Sequence, residues 1–258
     1  MFRRILIPTD FSTASEWVFD DAVRIAGASG AELLILHVRR TWPSNPDELR
    51  FPADPSLYEY AEQQELERVR DRVRRTNQSI NTRLIVRQAP DAGVEICRTA
   101  TEEKVDLIVI ATHGRHHVAH LFVGSTTLSV LKDPPAPVLA IRYGVRKRNH
   151  LNRAVVPLHL QQTSHRALDL AANVVKEVHL VTVCDDSDQQ RAEALQREVA
   201  ANVPGAKTAI IHGKDPAEEI IRYIAKNDID AIFINGASEP SKRKIDIVRH
   251  APVPVMIV

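Results

Sequence analysis

The chain has 258 residues, 44% of them hydrophobic and 26% charged, and its formal net charge is +1. This balance is typical of a water-soluble globular protein and gives no electrostatic reason to expect nucleic acid or an anionic membrane as a partner. No apolar run approaches the roughly 20 residues that span a bilayer, and the N-terminus lacks the apolar core and cleavage site of a signal peptide. Cys97 and Cys184 are too few for a disulfide framework, so we expect core thiols in a cytoplasmic protein.

Short runs of branched aliphatic residues alternate with helical patterns through the first half of the chain. The aliphatic runs predict buried strands at residues 5–8, 32–38, 82–87, 105–111 and 138–141. The segments between them predict helices at about 12–29, 57–79, 92–103 and 125–132. Alternating strands and helices predict a parallel sheet covered by helices on both faces, which is a doubly wound α/β fold.

The second half of the chain repeats the first. Asp91 to Ile110 aligns without gaps on Asp215 to Ile234, and the segment that begins at Arg4 recurs from Arg153. A repeat of this length indicates two domains of one fold. We therefore predict an α/β domain at residues 1–144, a second at 151–258, and a linker at 145–150.

The carboxyl ends of the strands are where a doubly wound sheet binds its ligands. Residues 8–13, after the first strand, contain no glycine, so a standard dinucleotide loop and a P-loop are not expected there.

The fourth predicted strand is followed by Ala111-Thr112-His113-Gly114, nine residues, and then Gly124-Ser125-Thr126-Thr127 at the start of a helix. The two glycines allow positive φ and a close approach of the backbone to a ligand. The hydroxyls lie beside the unpaired amides of a helix N-terminus, which bind anions. A Gly-containing loop followed by an ordinary Ser/Thr helix cap explains the same residues equally well.

With this spacing the chain resembles the universal stress protein family, whose nucleotide-binding signature is Gly-x-x-Gly, nine residues, then Gly-Ser/Thr. The resemblance includes Pro-Thr-Asp at the end of the first strand, His37-Val38 at the end of the second, and Pro-Val-Leu at the closing strand. It covers both halves of the chain. It implies a Rossmann-like, adenine nucleotide alpha hydrolase-like fold that binds ATP, or AMP or ADP, with or without Mg²⁺, and has no catalytic triad.

The resemblance also implies roles for individual residues, carried over by position. Asp10 would meet the adenine or adenosine side, Thr9 and Val38 would supply backbone contacts near the base, and Pro8 would shape that wall. The residues flanking the ribose and phosphates would be Ile110, Ala111, His113 and Gly114. The residues holding the phosphates would be Gly124, Ser125, Thr126 and Thr127. Ala111 departs from the family pattern, because it stands where the motif has its first glycine; its methyl group is tolerated if φ is negative there, but could narrow the pocket.

The second half departs further from the nucleotide-binding pattern. His159 replaces Asp10, Ser241 takes the position of Gly124, and the loop between the two motif parts is seven residues shorter. Lys242, Arg243 and Lys244 stand where the first half has its Ser-Thr-Thr cap. We therefore expect a degenerate second domain that binds no nucleotide and serves as a structural partner.

The closing strands, 137–141 and 254–258, are apolar and would leave exposed sheet edges if they were unpaired. In the family the last strand commonly pairs domains, so we expect these two to face each other in a pseudo-dimer within the chain. A homodimer of the whole chain is a further expectation.

Three other segments have alternative interpretations. Residues 113–120 contain four histidines, and a zinc or nickel cluster is conceivable, but Gly114 interrupts the helical geometry and we favour a solvated loop without a metal site. Residues 68–75 are rich in arginine, and we favour a solvated helix face with Leu66, Val69 and Val73 inward over a nucleic-acid surface. Residues 39–55 contain four prolines and form a long loop, which could cover a nucleotide or be without order.

Three functions remain open from the sequence. The leading one is a stress-response regulator that senses ATP or a related nucleotide and signals to an unknown protein partner. The second is a slow ATPase or phosphotransferase using the same pocket, although the phosphate loop carries no acid to hold a metal. The third is a nucleotide-free interaction module, for which Ala111 is the main argument.

Overall fold

A computed structural model of the protein describes residues 2–41, 55–112, 123–145, 151–161, 166–236 and 241–258. The described residues form two compact units. The first contains the described residues up to 112 together with 124–136, and the second contains Val123 and the described residues from 137 onward. None of the helices in these ranges is long and apolar enough to cross a membrane.

The first unit is a four-stranded parallel sheet with helices between its strands. Its strands are β1 (Arg4–Thr9), β2 (Glu32–Arg40), β3 (Thr82–Ala89) and β4 (Leu107–Ala111). Its helices are α1 (Thr13–Trp17), α2 (Phe19–Ser29), α3 (Pro55–Thr76), α4 (Ala92–Glu102) and α5 (Ser125–Lys132). The strand order β3-β2-β1-β4, with every pairing parallel, is that of a doubly wound sheet.

The second unit repeats this four-stranded architecture and adds two strands, one of them antiparallel. Its strands are β5 (Val138–Ile141), β6 (Arg153–Pro157), β7 (Glu177–Cys184), β8 (Lys207–His212), β9 (Ala231–Ile234) and β10 (Val255–Ile257). Its helices are α6 (Arg166–Val174), α7 (Gln189–Ala200), α8 (Pro216–Asn227) and α9 (Ser241–His250). The strand order is β5-β10-β9-β6-β7-β8. The predicted fold class, two Rossmann-like parallel α/β sheets, is confirmed.

The pairing of β5 with β10 confirms that the two closing strands face each other. They are antiparallel, with Leu139 opposite Met256, and both strands are fully buried. Because of this pairing β5 groups with the second unit, although it precedes the predicted linker. The boundaries at residues 144 and 151 remain a prediction.

Matching hydrogen bonds appear at the repeated positions of the two units. Asp106 accepts bonds from two successive backbone N–H groups at the start of β1 (2.7 and 2.9 Å), and Asp230 does the same at the start of β6 (2.8 and 2.9 Å). Asp91 and Asp215 are the N-cap residues of α4 and α8, and each accepts from two backbone N–H groups of its helix. The sequence repeat therefore corresponds to a repeat of specific contacts.

The first helix differs from its predicted extent. A single helix was expected over residues 12–29, but the helix is interrupted at Val18, which separates α1 from α2. Val18 is the C-cap of α1, with φ −81° and ψ −10°, and its backbone N–H donates to the Glu16 carbonyl oxygen.

The two cysteines are free thiols. Cys184 is buried and Cys97 is half-buried, and burial is the main cause that raises the pKa of each thiol. A raised pKa disfavours the reactive thiolate, as expected for thiols that serve packing.

Candidate functional site

The candidate site lies at the carboxyl ends of β1, β2 and β4. Because β1 pairs in parallel with both of its neighbours, the ends of these strands lie at one edge of the sheet. The strand order reverses between β1 and β4, which is the position where such sheets bind ligands. Several residues implied by the resemblance meet there: Pro8, Thr9 and Asp10 from β1 and its end, and Ile110 and Ala111 from β4.

Thr9 is fixed by hydrogen bonds on both its backbone and its side chain. Its carbonyl oxygen accepts from His37 Nδ1 at 2.9 Å, and its hydroxyl oxygen accepts from the Phe11 N–H at 3.0 Å. The same hydroxyl lies 3.2 Å from that of Ser15. The resemblance implied a backbone contact from Thr9 to the base, and in this structure its carbonyl is bonded to His37.

Asp10 is held at the edge by the cap of the following helix. Its Oδ1 accepts from the Ser12 N–H at 3.1 Å and from the Ser12 hydroxyl at 2.6 Å. Ser12 in turn is the N-cap of α1 and accepts from the Ser15 N–H. The carboxylate is half-buried, so it stands at the edge of the sheet in a fixed orientation.

Phe11 is a residue of this edge that the sequence did not indicate. Its φ of 61° is in the left-handed region, where a residue with a side chain is strained by roughly 1–2 kcal/mol. Its ring stacks on His37 with the centroids 4.4 Å apart and the planes 25° apart. His37 Nε2 lies 3.8 Å from a carboxylate oxygen of Glu62 on α3, so each ring nitrogen of His37 lies near an oxygen of the described residues. Val38, the next residue of β2, is half-buried and pairs in register with Arg87 of β3.

The first turn of α5 is docked directly on the end of β4. The Gly124 N–H donates to the Thr112 carbonyl oxygen at 2.8 Å, and the Thr127 hydroxyl donates to the Ala111 carbonyl oxygen at 2.9 Å. Thr127 is buried, Thr126 is half-buried and Ser125 is exposed. The Thr127 hydroxyl therefore anchors the helix to the strand, while the side chains of Ser125 and Thr126 lie nearer to solvent.

Gly124 does not use the positive φ that a glycine allows. It is the N-cap of α5 with φ −62° and ψ 148°. A Cβ atom at Gly124 would lie 3.5 Å from the Thr112 carbonyl oxygen, which is ordinary van der Waals contact. Neither backbone conformation nor packing against the described residues requires a glycine here.

Ala111 has a backbone conformation that admits a side chain. It is the last residue of β4, it is buried, and its φ is not positive. The condition under which its methyl group is tolerated is therefore met.

Other predicted features lie outside the described residues. These are His113 and Gly114, the remaining histidines of segment 113–120, and the greater part of the Pro-rich loop. Within the described ranges no group of three or more His, Cys, Asp or Glu side chains could hold a metal ion.

The second unit presents cations at the corresponding edge. Arg243 Nη1 lies 2.6 and 2.7 Å from the two ring nitrogens of His159, which occupies the position of Asp10. Lys244 is buried, and its ammonium group donates to the Gly236 carbonyl oxygen at 3.5 Å. This edge therefore differs in charge from that of the first unit, in line with the predicted degeneracy.

The Arg-rich segment of α3 is paired with acidic side chains. Arg72 contacts Glu16 at 3.2 Å and Asp20 at 3.1 Å, and Arg68 pairs with Glu16 and with Glu65. The hydrogen bond that Arg68 donates to Glu16 is the main cause that raises the pKa of Arg68. The inward residues Leu66, Val69 and Val73 are buried, as predicted. These ion pairs neutralise much of the basic charge, which supports the solvated-face interpretation.

Comparisons with known proteins agree with this fold. The profile of the universal stress protein family matches residues 1–142. A universal stress protein of Thermus aquaticus is 33% identical over 147 residues, which are 55% of this chain and 100% of that protein. The crystal structure of a universal stress protein from Archaeoglobus fulgidus covers 98% of this chain and 95% of its own at 22% identity, with a TM-score of 0.75, and this similarity concerns the fold. Another universal stress protein, solved in complex with cAMP, covers 54% of this chain and 97% of its own at 24% identity, with a TM-score of 0.41.

Proposed function

Because the chain belongs to the universal stress protein family, we propose that its first unit binds ATP or a related adenine nucleotide at the carboxyl ends of β1 and β4. In this proposal the protein is a stress-response regulator that passes its nucleotide-bound state to a protein partner in the cytoplasm. The base lies against the β1–β2 side of the edge, and the phosphates lie at the first turn of α5.

The observation that carries the proposal is the glycine at position 124. Among the described residues a side chain would fit there, because its Cβ would make only an ordinary contact at 3.5 Å. Position 124 requires a glycine neither for its backbone conformation nor for its packing against the described residues. A glycine at such a helix N-terminus leaves room for an external group. The N-terminal amides of a helix favour an anion, and Gly124 has no side chain to cap them.

The residues at the base end provide a polar group on a rigid support. The Asp10 carboxylate, held by Ser12, would accept a hydrogen bond from the adenine or adenosine side. Pro8 and Val38 would form the wall beside the base, and the stacked rings of Phe11 and His37 would limit its movement.

At the phosphate end the described residues offer hydroxyls and amides but no acid. The Ser125 and Thr126 hydroxyls and the first-turn amides would donate to phosphate oxygens, while Thr127 holds α5 against β4. The first turn of α5 has no acidic residue that could hold Mg²⁺ through a carboxylate. We therefore propose that the nucleotide binds without a protein carboxylate coordinating Mg²⁺. We also propose that the protein acts by regulation rather than by hydrolysing ATP.

The proposal is tested by isothermal titration of the full chain with ATP. We expect wild-type protein to bind and Gly124→Val to abolish binding, because the branched side chain would occupy the phosphate position. Replacing an N-cap glycine by valine costs about 1 kcal/mol of stability, so the variant should remain folded in thermal unfolding. Failure of wild-type protein to bind ATP, ADP or AMP would favour the nucleotide-free interaction module. Binding accompanied by steady release of phosphate would favour the slow ATPase.

A further inference from the structure

Helix α4 approaches α5 at a glycine. A Cβ atom at Gly93 would lie 2.4 Å from Ser129 Cβ and 2.8 Å from the Thr126 carbonyl oxygen, both on α5. Cβ atoms do not come this close to other heavy atoms, so a side chain at position 93 would force the two helices apart. Gly93 is in the first turn of α4 and its φ is not positive. Its role is therefore to let α4 and α5 approach each other closely, and not to allow an unusual backbone conformation.

The cap of α4 strengthens this contact. Asp91 Oδ1 accepts from the N–H groups of Gly93 and Val94 at 2.7 and 3.0 Å, and from the Ser129 hydroxyl at 3.4 Å. The backbone hydrogen bond from Val94 is the main cause that lowers the pKa of Asp91, so the group is a carboxylate at neutral pH. One carboxylate thus bonds the start of α4 and a side chain of α5.

We propose that Gly93 is a positioning residue for the phosphate-binding turn. By allowing α4 and α5 to touch, it determines where Thr126 and the N-terminal amides of α5 stand relative to the end of β4. This inference rests on the proposed function, because it assigns Gly93 a role in binding the phosphates. In the second unit, where we expect no nucleotide, the aligned residue is Ala217, which carries the Cβ that position 93 excludes.

The test compares two ligands on the full-length Gly93→Ala variant. ATP reports on both ends of the site, whereas adenosine reports on the base end alone. We expect ATP affinity to fall by roughly tenfold or more, because a small misplacement of binding groups is costly. Adenosine affinity should be unchanged, because β1 and β2 do not move. A variant that was merely destabilised would show no such selectivity for the phosphates.

Two further variants complete the experiment. Gly27→Ala is the matched control, since Gly27 is also helical and its Cβ would meet side chains rather than backbone, Asn77 Nδ2 at 2.8 Å and Ile80 Cδ1 at 4.0 Å. Both affinities should stay at the wild-type value. Gly93→Ala combined with Ser129→Gly removes the 2.4 Å clash and should recover part of the ATP affinity. If circular dichroism shows that Gly93→Ala does not fold, the double variant tests the inference instead. We then expect the double variant to bind ATP more weakly than wild type and to bind adenosine with unchanged affinity.

The outcomes separate the inference from the function on which it rests. Wild-type protein that binds no nucleotide overturns the proposed function. Wild-type protein that binds ATP, with unchanged affinity in Gly93→Ala or an equal loss of ATP and adenosine, overturns the role of Gly93 alone.

Discussion

At the residue scale, the carboxylate of Glu177 is stabilised in the folded protein by two hydrogen bonds. Its Oε1 accepts from Lys207 Nζ at 2.8 Å and from His179 Nε2 at 2.6 Å. The hydrogen bond from Lys207, followed by that from His179, lowers the pKa of Glu177 to about 2. Since the pKa is lower in the folded than in the unfolded chain, this carboxylate stabilises the fold above the unfolded pKa of about 4.3. That contribution is lost as the pH falls toward 2.

We therefore expect Glu177→Gln to be less stable than wild type at pH 7 and to lose this deficit as the pH falls. The measurement is the free energy of unfolding in urea at a series of pH values, from neutral down to the onset of acid unfolding. The exposed Glu198 provides the control, and Glu198→Gln should follow the wild-type profile at every pH. A deficit in Glu177→Gln that does not shrink with pH would show that the two hydrogen bonds do not act through the charge.

Individual contacts at the candidate site were only partly predictable. The inward residues of α3 could be predicted because helical spacing alone decides which side faces the sheet. The role of Thr127 could not, because its bond to the Ala111 carbonyl depends on how α5 docks on β4. Phe11 gave no signal, since no residue pattern predicts a positive φ for phenylalanine. Gly93 gave a weak signal in the sequence, because glycine is a poor helix former and its presence in the first turn of α4 requires a reason.

At the element scale, the N-cap of α8 has an effect that can be isolated. Asp215 accepts from the N–H groups of Ala217 and Glu218 at 2.9 and 3.2 Å, which satisfies two amides of the first turn. We expect Asp215→Ala to cost about 1 kcal/mol, seen as a lower midpoint in thermal unfolding. Asp215→Asn should stay close to wild type, because asparagine caps helices about as well as aspartate. Equal losses in the two variants would mean that the carboxylate acts by charge rather than as a cap.

The strands were predicted to within a few residues because each is a short, branched aliphatic run in a sheet buried on both faces. The pairing of β5 with β10 followed from a different argument, the cost of leaving apolar edges open. The break at Val18 was missed because apolar periodicity continues through it from α1 into α2.

At the scale of the whole molecule, the two halves share a fold and differ in the residues at the carboxyl ends of their strands. We predict one nucleotide site per chain in isothermal titration with ATP. Asp10→Ala should weaken binding by roughly 1.5–3 kcal/mol, as expected for loss of a charge-assisted hydrogen bond. His159→Ala is the matched change in the second half and should leave the ATP affinity unaltered. The second unit carries Arg243 and Lys244 where the first unit has the hydroxyls at the start of α5. Two equivalent sites, or weaker binding in His159→Ala, would contradict the degeneracy of the second half.

The antiparallel pairing of β5 with β10 has a consequence for the synthesis of the chain. Ala140 leaves the ribosome more than a hundred residues before its partner Val255. At about 5–20 residues per second, β5 waits roughly 6–20 s for that partner. During this interval an apolar strand with an open edge is available to other nascent chains. The strand that completes the second sheet therefore keeps an unpaired apolar edge until Val255 has been synthesised.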